Sequence, residues 1–305
     1  MTYLLRRVLW TVPVLLGVLT VVFFLIHLIP GDPVDLMLGE NALAADRQQM
    51  RLQLGLDRPV LTQYGLYLRG ALTGDLGTSF HTRRPVVAMI RERLPATLEL
   101  MLGAMVVALG LALPLGILAA LFRGRWPDQV AGVFAVLGVA TPNFWLGPLL
   151  ILLFAIQLDW LPVNERGGLA NLVLPSLTLG TALAALLSRM TRTALVEVLG
   201  EDYIRSARAK GAGATRVIVV HAMRNALIPV VTVAGLQIGA LLSGAIITES
   251  IFDWPGLGTL LLEGIYGRDF PLVQGCILVI ATGYVLVNLA TDLAYGWIDP
   301  RIGRP

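Results

Sequence analysis

Charged residues are scarce in this chain of 305 residues: they make up 14% of the sequence, whereas hydrophobic residues make up 56%. A soluble domain usually carries about 25% charged residues. The mean hydropathy of +0.76 points the same way. This composition excludes an ordinary soluble domain and predicts a polytopic membrane protein.

Cysteine and lysine each occur once, as Cys276 and Lys210. A single cysteine excludes an internal disulfide and a thiolate metal cluster. A Walker A phosphate loop needs a lysine between a glycine and a serine or threonine, but Lys210 lies between Ala209 and Gly211. The chain therefore has no phosphate loop. We expect no cofactor on it, and any ATP and magnesium would be bound by partner subunits.

Histidine is almost as rare, and His27, His81 and His221 fall in different compartments of the topology given below. They cannot converge on one metal ion, so each is interpreted as a local hydrogen-bonding residue. A serine nucleophile would need a Gly-x-Ser-x-Gly elbow, which the sequence lacks. A membrane-embedded hydrolase is therefore disfavoured.

Apolar runs long enough to cross a hydrocarbon core, which needs roughly 20 residues, occur six times. The predicted fold class is therefore all-α, with six transmembrane helices. The first run is too long for the apolar region of a signal peptide and is followed by no small-residue cleavage site, so we expect a retained anchor. The runs lie near 8–29, 97–121, 130–157, 171–190, 229–250 and 272–297.

Arginine accounts for almost all of the basic balance, a net charge of +3 and a pI of about 9.3. In a membrane protein such residues mark cytoplasmic loops beside anionic lipid. They cluster at both termini, between the second and third runs, and in the loop 191–228, which are all predicted to be cytoplasmic. The arginines concerned are Arg6, Arg7, Arg123, Arg125, Arg192, Arg205, Arg208, Arg216, Arg224, Arg301 and Arg304.

The region 30–96 is the largest segment on the other side and is predicted to be helical. A helix over 43–54 would end at Gly55, a second would begin after Pro59, and a third short helix would follow Pro85. In the second helix Leu61, Tyr64, Leu68 and Leu72 recur at helical spacing. A cap that packs on the span ends is favoured over a binding site. We divide the chain into 1–96, the anchor with this region, and 97–305, a five-helix core that carries the loop 191–228.

One long polar segment, 201–229, interrupts the membrane-length runs, and it is called the elbow below. Asp202 and Arg205 are spaced to pair on a first short helix, which would end at Gly211. Gly213 would cap a second helix. The residues from Asn225 to Pro229 are predicted to turn the chain back into the membrane, with Pro229 in a first helical turn.

Polar residues inside the spans are candidates for a translocation pathway. Gln237, Ser243 and Glu249 are the residues chosen, all in the fifth span. Such side chains also serve as interhelical hydrogen-bonding groups. Asp292, in the sixth span, is interpreted as bonding to a neighbouring helix rather than as a proton or substrate site.

The two halves of the elbow, Arg205–Gly211 and His221–Pro229, resemble the cytoplasmic EAA loop of binding-protein-dependent ABC importers. The resemblance is to permease subunits of the dipeptide, oligopeptide and nickel group. Arg205 and Ser206 replace the glutamate and first alanine of the general loop, as in that group. Further motifs of the group follow in order: Pro30-Gly31-Asp32-Pro33, Leu54-Gly55-Leu56-Asp57, Gly74-Asp75-Leu76-Gly77, Trp254-Pro255-Gly256-Leu257-Gly258 and Asp299-Pro300-Arg301.

The resemblance implies a type I ABC importer permease fold and a role as half of a pore. Its partners would be a homologous second permease, two ATP-binding cassette subunits and an extracytoplasmic binding protein, and the chain itself would not be an enzyme. The elbow would receive the ATPase and transmit its motion. The coupling residues so implied are Arg205, Ser206, Ala207, Gly211, Ala212, Gly213, Arg216, Arg224 and Pro229.

The cargo is left open by the sequence. Di- or oligopeptides are favoured, and glutathione also fits. Nickel competes because Leu94–Leu100 and Thr141–Trp145 resemble nickel-type permeases too. An ion-coupled secondary transporter would need coupling acids near the middle of the membrane, and Asp292 alone gives it little support.

Overall fold

A computed structural model describes residues 2–28, 34, 43–163 and 166–298, and in these ranges the regular structure is helical. The motifs Pro30–Pro33 and Asp299–Arg301 lie outside the described residues, as do the side chains of His27, Ser243 and Asp292. The helices are α1 Thr2–Leu28, α2 Ala44–Leu54, α3 Val60–Thr73, α4 Val86–Leu121, α5 Trp126–Ala140, α6 Asn143–Leu150 with the π-helical Ile151–Gln157, α7 Leu169–Leu199, α8 Asp202–Ala209, α9 Ala214–Arg216 with the π-helical Val217–Ala222, α10 Met223–Ile251, α11 Leu257–Tyr266 and α12 Phe270–Ile298.

Among the described residues, four helical stretches are long and apolar enough to cross a membrane: Val86–Leu121, Leu169–Leu199, Ala214–Gly239 and Phe270–Thr291. A fifth crossing would be formed by Trp126–Ala140 and Asn143–Gln157 together, although these helices meet at an angle of 106°. The predicted run 130–157 is therefore not a straight helix. The bend falls at Thr141, in the extended conformation favoured before a proline, and at Pro142, which is the N-cap of α6. In α1 the apolar stretch Leu9–Phe24 is shorter than these spans.

Helix α4 is longer than the sequence predicts. It begins at Val86 and continues through Pro95, so the expected third short helix after Pro85 is the first part of α4, and α4 crosses residue 96. Met89 and Ile90 are buried against α11 and α12, in a cluster that includes Leu260 and Cys276. This packing against α11 and α12 keeps the helix continuous across Pro95, although a proline usually ends or kinks a helix.

The centre of the bundle is the contact between α4 and α7. Buried small residues recur every four positions along α4, at Ala104, Ala108 and Ala112. On α7, a Cβ added at Gly180 would lie 2.7 Å from the carbonyl oxygen of Ala104. Small residues at such an interface let two helix backbones approach closely. The resulting van der Waals contacts stabilise the pair in lipid, where the hydrophobic effect contributes little.

Helices α10 and α12 approach each other closely at two glycines of α10, Gly235 and Gly239. A Cβ at Gly239 would lie 2.6 Å from the ring of Tyr284, and one at Gly235 would overlap the side chain of Thr291. Glycine at these two positions therefore allows the two helices to pack closely.

The cap segment, residues 43–85, lies at one end of the bundle. Gly55 has a φ of +64° and ends α2, and Pro59 precedes α3, as predicted. The hydroxyl of Tyr64 lies 2.7 Å from the hydroxyl of Thr20 on α1, and the ring of Tyr64 packs on Phe23. The predicted apolar face of α3 is only partly packed, because Leu61 and Leu72 are each 82% exposed.

Tyr67 belongs to the same α1–α3 contact. Its ring lies 5.6 Å from that of Phe23. Burial, and to a lesser extent the neighbouring Tyr64, raises the pKa of Tyr67 to about 12. The phenol is therefore uncharged at any physiological pH and acts as a packing residue.

Candidate coupling elbow

The first bend of the elbow is built by a glycine in a left-handed conformation. Helix α8 ends at Ala209, and Gly211 has a φ of +83°. The amide of Gly211 donates to the carbonyl of Arg208 at 2.9 Å, and that of Ala212 donates to the carbonyl of Ala207 at 3.1 Å. These bonds satisfy carbonyls at the helix end, and the backbone between them requires the φ that glycine tolerates best. The predicted end of the first helix is confirmed.

Gly213 occupies the N-cap of the following helix, with extended φ and ψ of −62° and 154°, as the sequence predicted. A Cβ placed at Gly213 or at Gly211 would have no described atom within 4 Å. Neither glycine is therefore required by packing within this chain. The space beside them is open to a partner.

Ile204 fixes α8 to the ends of the spans. Its side chain is fully buried in a cluster with Leu195 of α7 and Met223 of α10. The cluster also contains Ala120 of α4 and Val217 of the π-helical segment. One aliphatic side chain of the elbow thus belongs to a buried cluster that also contains residues of three long helices. Sequence reasoning missed this residue, although Ile204 is the only aliphatic residue longer than alanine in α8.

A polar contact adds to this attachment. The amide of Asn225 donates from Nδ2 to the hydroxyl of Tyr203 at 2.8 Å, which ties α8 to the start of α10. The Tyr203 hydroxyl is also 3.5 Å from the carbonyl oxygen of His221. The sequence named Asn225 only as the start of a turn, and it did not single out Tyr203.

The predicted turn over Asn225–Pro229 is wrong. The chain is helical without a break from Ala214 to Ile251, and Pro229 lies inside α10. Ala226 and Val230, on either side of it, are buried, so packing keeps the helix continuous. A proline inside a transmembrane helix is tolerated where neighbouring groups satisfy the freed carbonyl. Pro229 is thus a residue of the span and not of its first turn.

The other coupling residues lie on the surface of the elbow. Ala207, Ala212 and Pro229 are half-buried. Arg205 pairs with Asp202 at 3.1 Å, as the spacing predicted, and both side chains are more than 70% exposed. The elbow therefore exposes small residues and a backbone bend, with arginine side chains around them. The exposed members are Arg205, Ser206, Gly211, Gly213, Arg216 and Arg224.

A bidentate ion pair holds two helices together close to the elbow. Arg192 of α7 donates from Nε and Nη2 to the two carboxylate oxygens of Asp128 on α5, at 2.5 and 2.8 Å. The carboxylate also accepts the backbone amide of Gly124 at 2.9 Å. The sequence identified Arg192 only as a loop charge, because its partner is 64 residues away.

The structure does not place Glu249 on an open wall. This side chain is fully buried. Its carboxylate accepts hydrogen bonds from the Thr97 hydroxyl at 2.7 Å and from the backbone amides of Gly258 and Thr259 at 2.7 and 3.1 Å. It caps the N-terminus of α11, which is a structural position rather than a position on a pathway wall. Gln237 is half-buried in α10.

The residues of the Trp254–Gly258 motif pack beside Glu249 and Thr97. The indole of Trp254 donates to the carbonyl of Ala96 at 2.7 Å, and the amide of Leu257 donates to the Thr97 hydroxyl at 2.7 Å. A Cβ at Gly258 would lie 2.6 Å from the Cα of Ile246, so no larger residue fits there. These contacts join α4, α10 and α11 into one unit.

The Gly74–Gly77 motif leads to a second buried carboxylate. Asp269, in the loop between α11 and α12, is 1% exposed. It accepts hydrogen bonds from the Ser79 hydroxyl at 2.5 Å and from the backbone amide of Phe80 at 3.0 Å. His81 adds a hydrogen bond to the carbonyl of Gly267, a local role of the kind expected for it. The end of the cap segment is thereby attached to the core.

Comparison with known proteins agrees with this architecture. Residues 112–304 match the family described as binding-protein-dependent transport system inner membrane component, and residues 1–101 match the N-terminal family of the same components. The chain belongs to this family. It is therefore an inner-membrane permease subunit of an ABC importer, a multi-pass protein and not an enzyme.

Relatives match over almost the whole length. The glutathione transport system permease protein GsiC of Escherichia coli O6:H1 is 45% identical over 302 residues, which is 99% of either chain. The protein of the same name from Salmonella choleraesuis is also 45% identical, and that of Escherichia coli K12 is 44% identical, with the same coverage.

Solved structures support the fold. Two inward-facing structures of the MetNI methionine ABC transporter match with TM-scores of 0.57 and 0.55, at 17% and 20% identity. Each match covers 69% of this chain and 96% of the other. The type I importer permease fold implied by the sequence motifs is thus confirmed. Membership of the family implies, in general, a second permease, ATP-hydrolysing subunits and a binding protein.

Proposed function

We propose that this permease imports glutathione, or short peptides of similar chemistry, with energy from ATP hydrolysed by its partner subunits. The observation that carries the cargo is the match over 99% of the chain to permeases named for glutathione transport. Di- and oligopeptides, which the sequence motifs favour, share the amide backbone and terminal carboxylate of glutathione. Nickel has no comparable support.

The elbow is proposed as the contact for an ATPase subunit. Its exposed bend at Gly211 and Gly213 leaves room for another protein to approach the backbone. Ile204 connects the same bend to α4, α7 and α10. Movement of a docked ATPase would therefore move the ends of three spans together, as expected for coupling between two-state elements.

We propose the remaining assignments from the distribution of arginines and from the family. The elbow and both termini lie in the cytoplasm, and the cap segment lies on the opposite side, facing a binding protein. A homologous second permease completes the pore, and two cassette subunits bind ATP and magnesium. Gln237 and Ser243 are proposed as pathway residues, whereas Glu249 acts through its contacts to α11.

A transport assay tests the cargo. The complete transporter, reconstituted in liposomes with its binding protein, is expected to take up labelled glutathione only when ATP is enclosed with the ATPase subunits. An excess of unlabelled dipeptide or of nickel serves as competitor. Uptake of nickel without uptake of glutathione would show that the proposed cargo is wrong. If dipeptide, but not nickel, reduced the uptake of glutathione, the cargo would extend to peptides in general.

A further inference from the structure

Helix α5 buries very little apolar area against the rest of the chain. Its buried residues are all small: Ala131, Ala135 and Gly138. Small residues allow two helices to approach closely, but they bury little surface. The large side chains of α5 point away from the chain, and those more than half exposed are Trp126, Val130, Val133, Val136, Leu137 and Val139. Apolar packing therefore holds α5 only weakly.

Helix α5 meets α7 towards both of its ends. Towards its C-terminus, a Cβ on Gly138 would lie 2.6 Å from the Cβ of Ala185, so the two backbones are close there. Towards its N-terminus, beside the elbow, the contact is the ion pair of Asp128 with Arg192. The Asp128 side chain is only 12% exposed, and a partly buried pair is screened less by salt than a surface pair.

The carboxylate of Asp128 is held in place before Arg192 reaches it. Asp128 lies in the first turn of α5, where the helix dipole favours a negative charge. The backbone amide of Gly124, in the loop before α5, donates to one of its oxygens at 2.9 Å. Arg192 then donates to both oxygens. A bidentate pair of this kind fixes the orientation of the two groups as well as their distance.

The apolar cluster around Ile204 does not extend to α5. Leu195 belongs to it, three residues after Arg192 on α7, and its other members come from α4, α8, the π-helical segment and α10. All of α5 is described, and none of its residues is a member. The elbow therefore contacts α7 directly and reaches α5 by way of Arg192.

We propose that Asp128 and Arg192 are positioning residues, which make the bent α5–α6 span follow the elbow when the ATPase subunits move. The inference rests on the elbow being the contact for an ATPase subunit, as proposed above. Helix α6 continues the connection, because a Cβ at Gly147 would lie 3.3 Å from the side chain of Ile251 at the far end of α10. A displacement of the elbow thus reaches both ends of the bundle.

The alternative is that the pair only stabilises the fold. Partly exposed ion pairs contribute little to stability, and the side chain of Arg192 is 34% exposed. The specific feature of this pair is its fixed geometry, next to the elbow, on a helix with little other attachment. That geometry suits a mechanical link better than a source of stability.

Distances between two spin labels in the complete transporter test the proposal. The labels are attached to cysteines placed at the exposed positions Val136 of α5 and Glu197 of α7, with Cys276 replaced by alanine. With the ion pair intact, we expect the same label distance without nucleotide and with ATP and vanadate, because α5 and α7 move together. In Arg192→Met or Asp128→Asn, the distance should change between the two states by about 2 Å, a typical size for helix shifts.

The matched control is Arg166→Met. Arg166 also donates to both carboxylate oxygens of its partner, Glu99, but it precedes the other end of α7. Breaking that pair should leave the label distance equal in the two states. The double variant D128N/R192M should behave like either single variant, because the same contact is lost in all three. Arg192→Lys keeps the charge and should show a smaller change.

A constant distance in both Arg192→Met and Asp128→Asn would overturn the proposal, even if their melting temperatures were lower, because the pair would then only stabilise the fold. A distance that changes with nucleotide while the pair is intact, or an equal change in Arg166→Met, would also contradict it. No cargo is present, so a wrong cargo leaves this result intact. An ATPase contact away from the elbow would instead be revealed by full co-purification of ATPase with Gly213→Leu.

Discussion

At the scale of single residues, the two elbow glycines serve different physical needs. Gly211 is required by its backbone, because a φ of +83° strains any residue with a Cβ by about 1–2 kcal/mol. Gly213 has a φ of −62°, which any residue adopts, and there is open space around it. Its small size is therefore not explained by this chain alone. A partner that contacts the elbow would explain it.

The variant Gly213→Leu separates docking from folding. Its backbone conformation suits leucine, so we expect normal insertion and a melting temperature close to that of the unaltered protein. The added side chain should obstruct the proposed contact and reduce the amount of ATPase subunit that co-purifies. Gly213→Ser is the control, because serine is small and a favoured N-cap residue. Full recovery of ATPase with the leucine variant would contradict a docking role for this position.

At the scale of residues, contacts between positions far apart in the chain could not be predicted from the sequence. The bend at Gly211 follows from a local rule and was predicted. By contrast, Ile204 is buried in a cluster with residues of α4, α7 and α10, and Asn225 hydrogen-bonds to Tyr203 across 22 residues. No local pattern reports such partners. The elbow was thus recognised from its sequence, but its attachment to the spans required the fold.

At the scale of elements, helix α11 depends on groups from two other helices. Its first amides donate to Thr97 of α4 and to Glu249 of α10. All these groups are buried, so losing one acceptor leaves an unsatisfied polar group away from water. A loss of this kind costs about 1–3 kcal/mol.

Thr97→Val tests that dependence. Valine keeps the shape of threonine but removes both the acceptor for the Leu257 amide and the donor to Glu249. We expect a lower melting temperature of the assembled transporter, equivalent to about 1–3 kcal/mol. Thr97→Ser retains the hydroxyl and should melt much closer to the unaltered protein. If valine and serine gave equal melting temperatures, the hydrogen bonds would contribute nothing to holding α11.

Prolines explain where the predicted elements failed. Pro142 bends its run by 106°, whereas Pro95 and Pro229 lie inside continuous helices. The local chemistry of the three is the same. What differs is the packing on either side, since buried residues of α4 and α10 flank the two that continue. The apolar runs showed that these helices exist, but they did not show where each helix begins, ends or bends.

At the scale of the whole molecule, the small residues of α4 and α7 set the spacing on which the elbow and the α11 cluster both depend. A Cβ at Gly116 of α4 would lie 2.8 Å from the carbonyl oxygen of Ser188 on α7. Gly110, on the same helix, has no described atom within 4 Å of such a Cβ. The two glycines share a helix and differ in what faces them.

Alanine substitutions at these two sites should therefore act in opposite directions. Alanine favours a helix over glycine by about 1 kcal/mol, so Gly110→Ala should leave the melting temperature unchanged or raise it. Gly116→Ala would overfill the α4–α7 contact and should destabilise the protein by about 1–3 kcal/mol. Because α7 ends at the elbow, we also expect Gly116→Ala to lower uptake per ATP hydrolysed in the reconstituted transporter. Equal melting temperatures and equal coupling for the two variants would show that this helix pair tolerates separation, and that the spacing is set elsewhere.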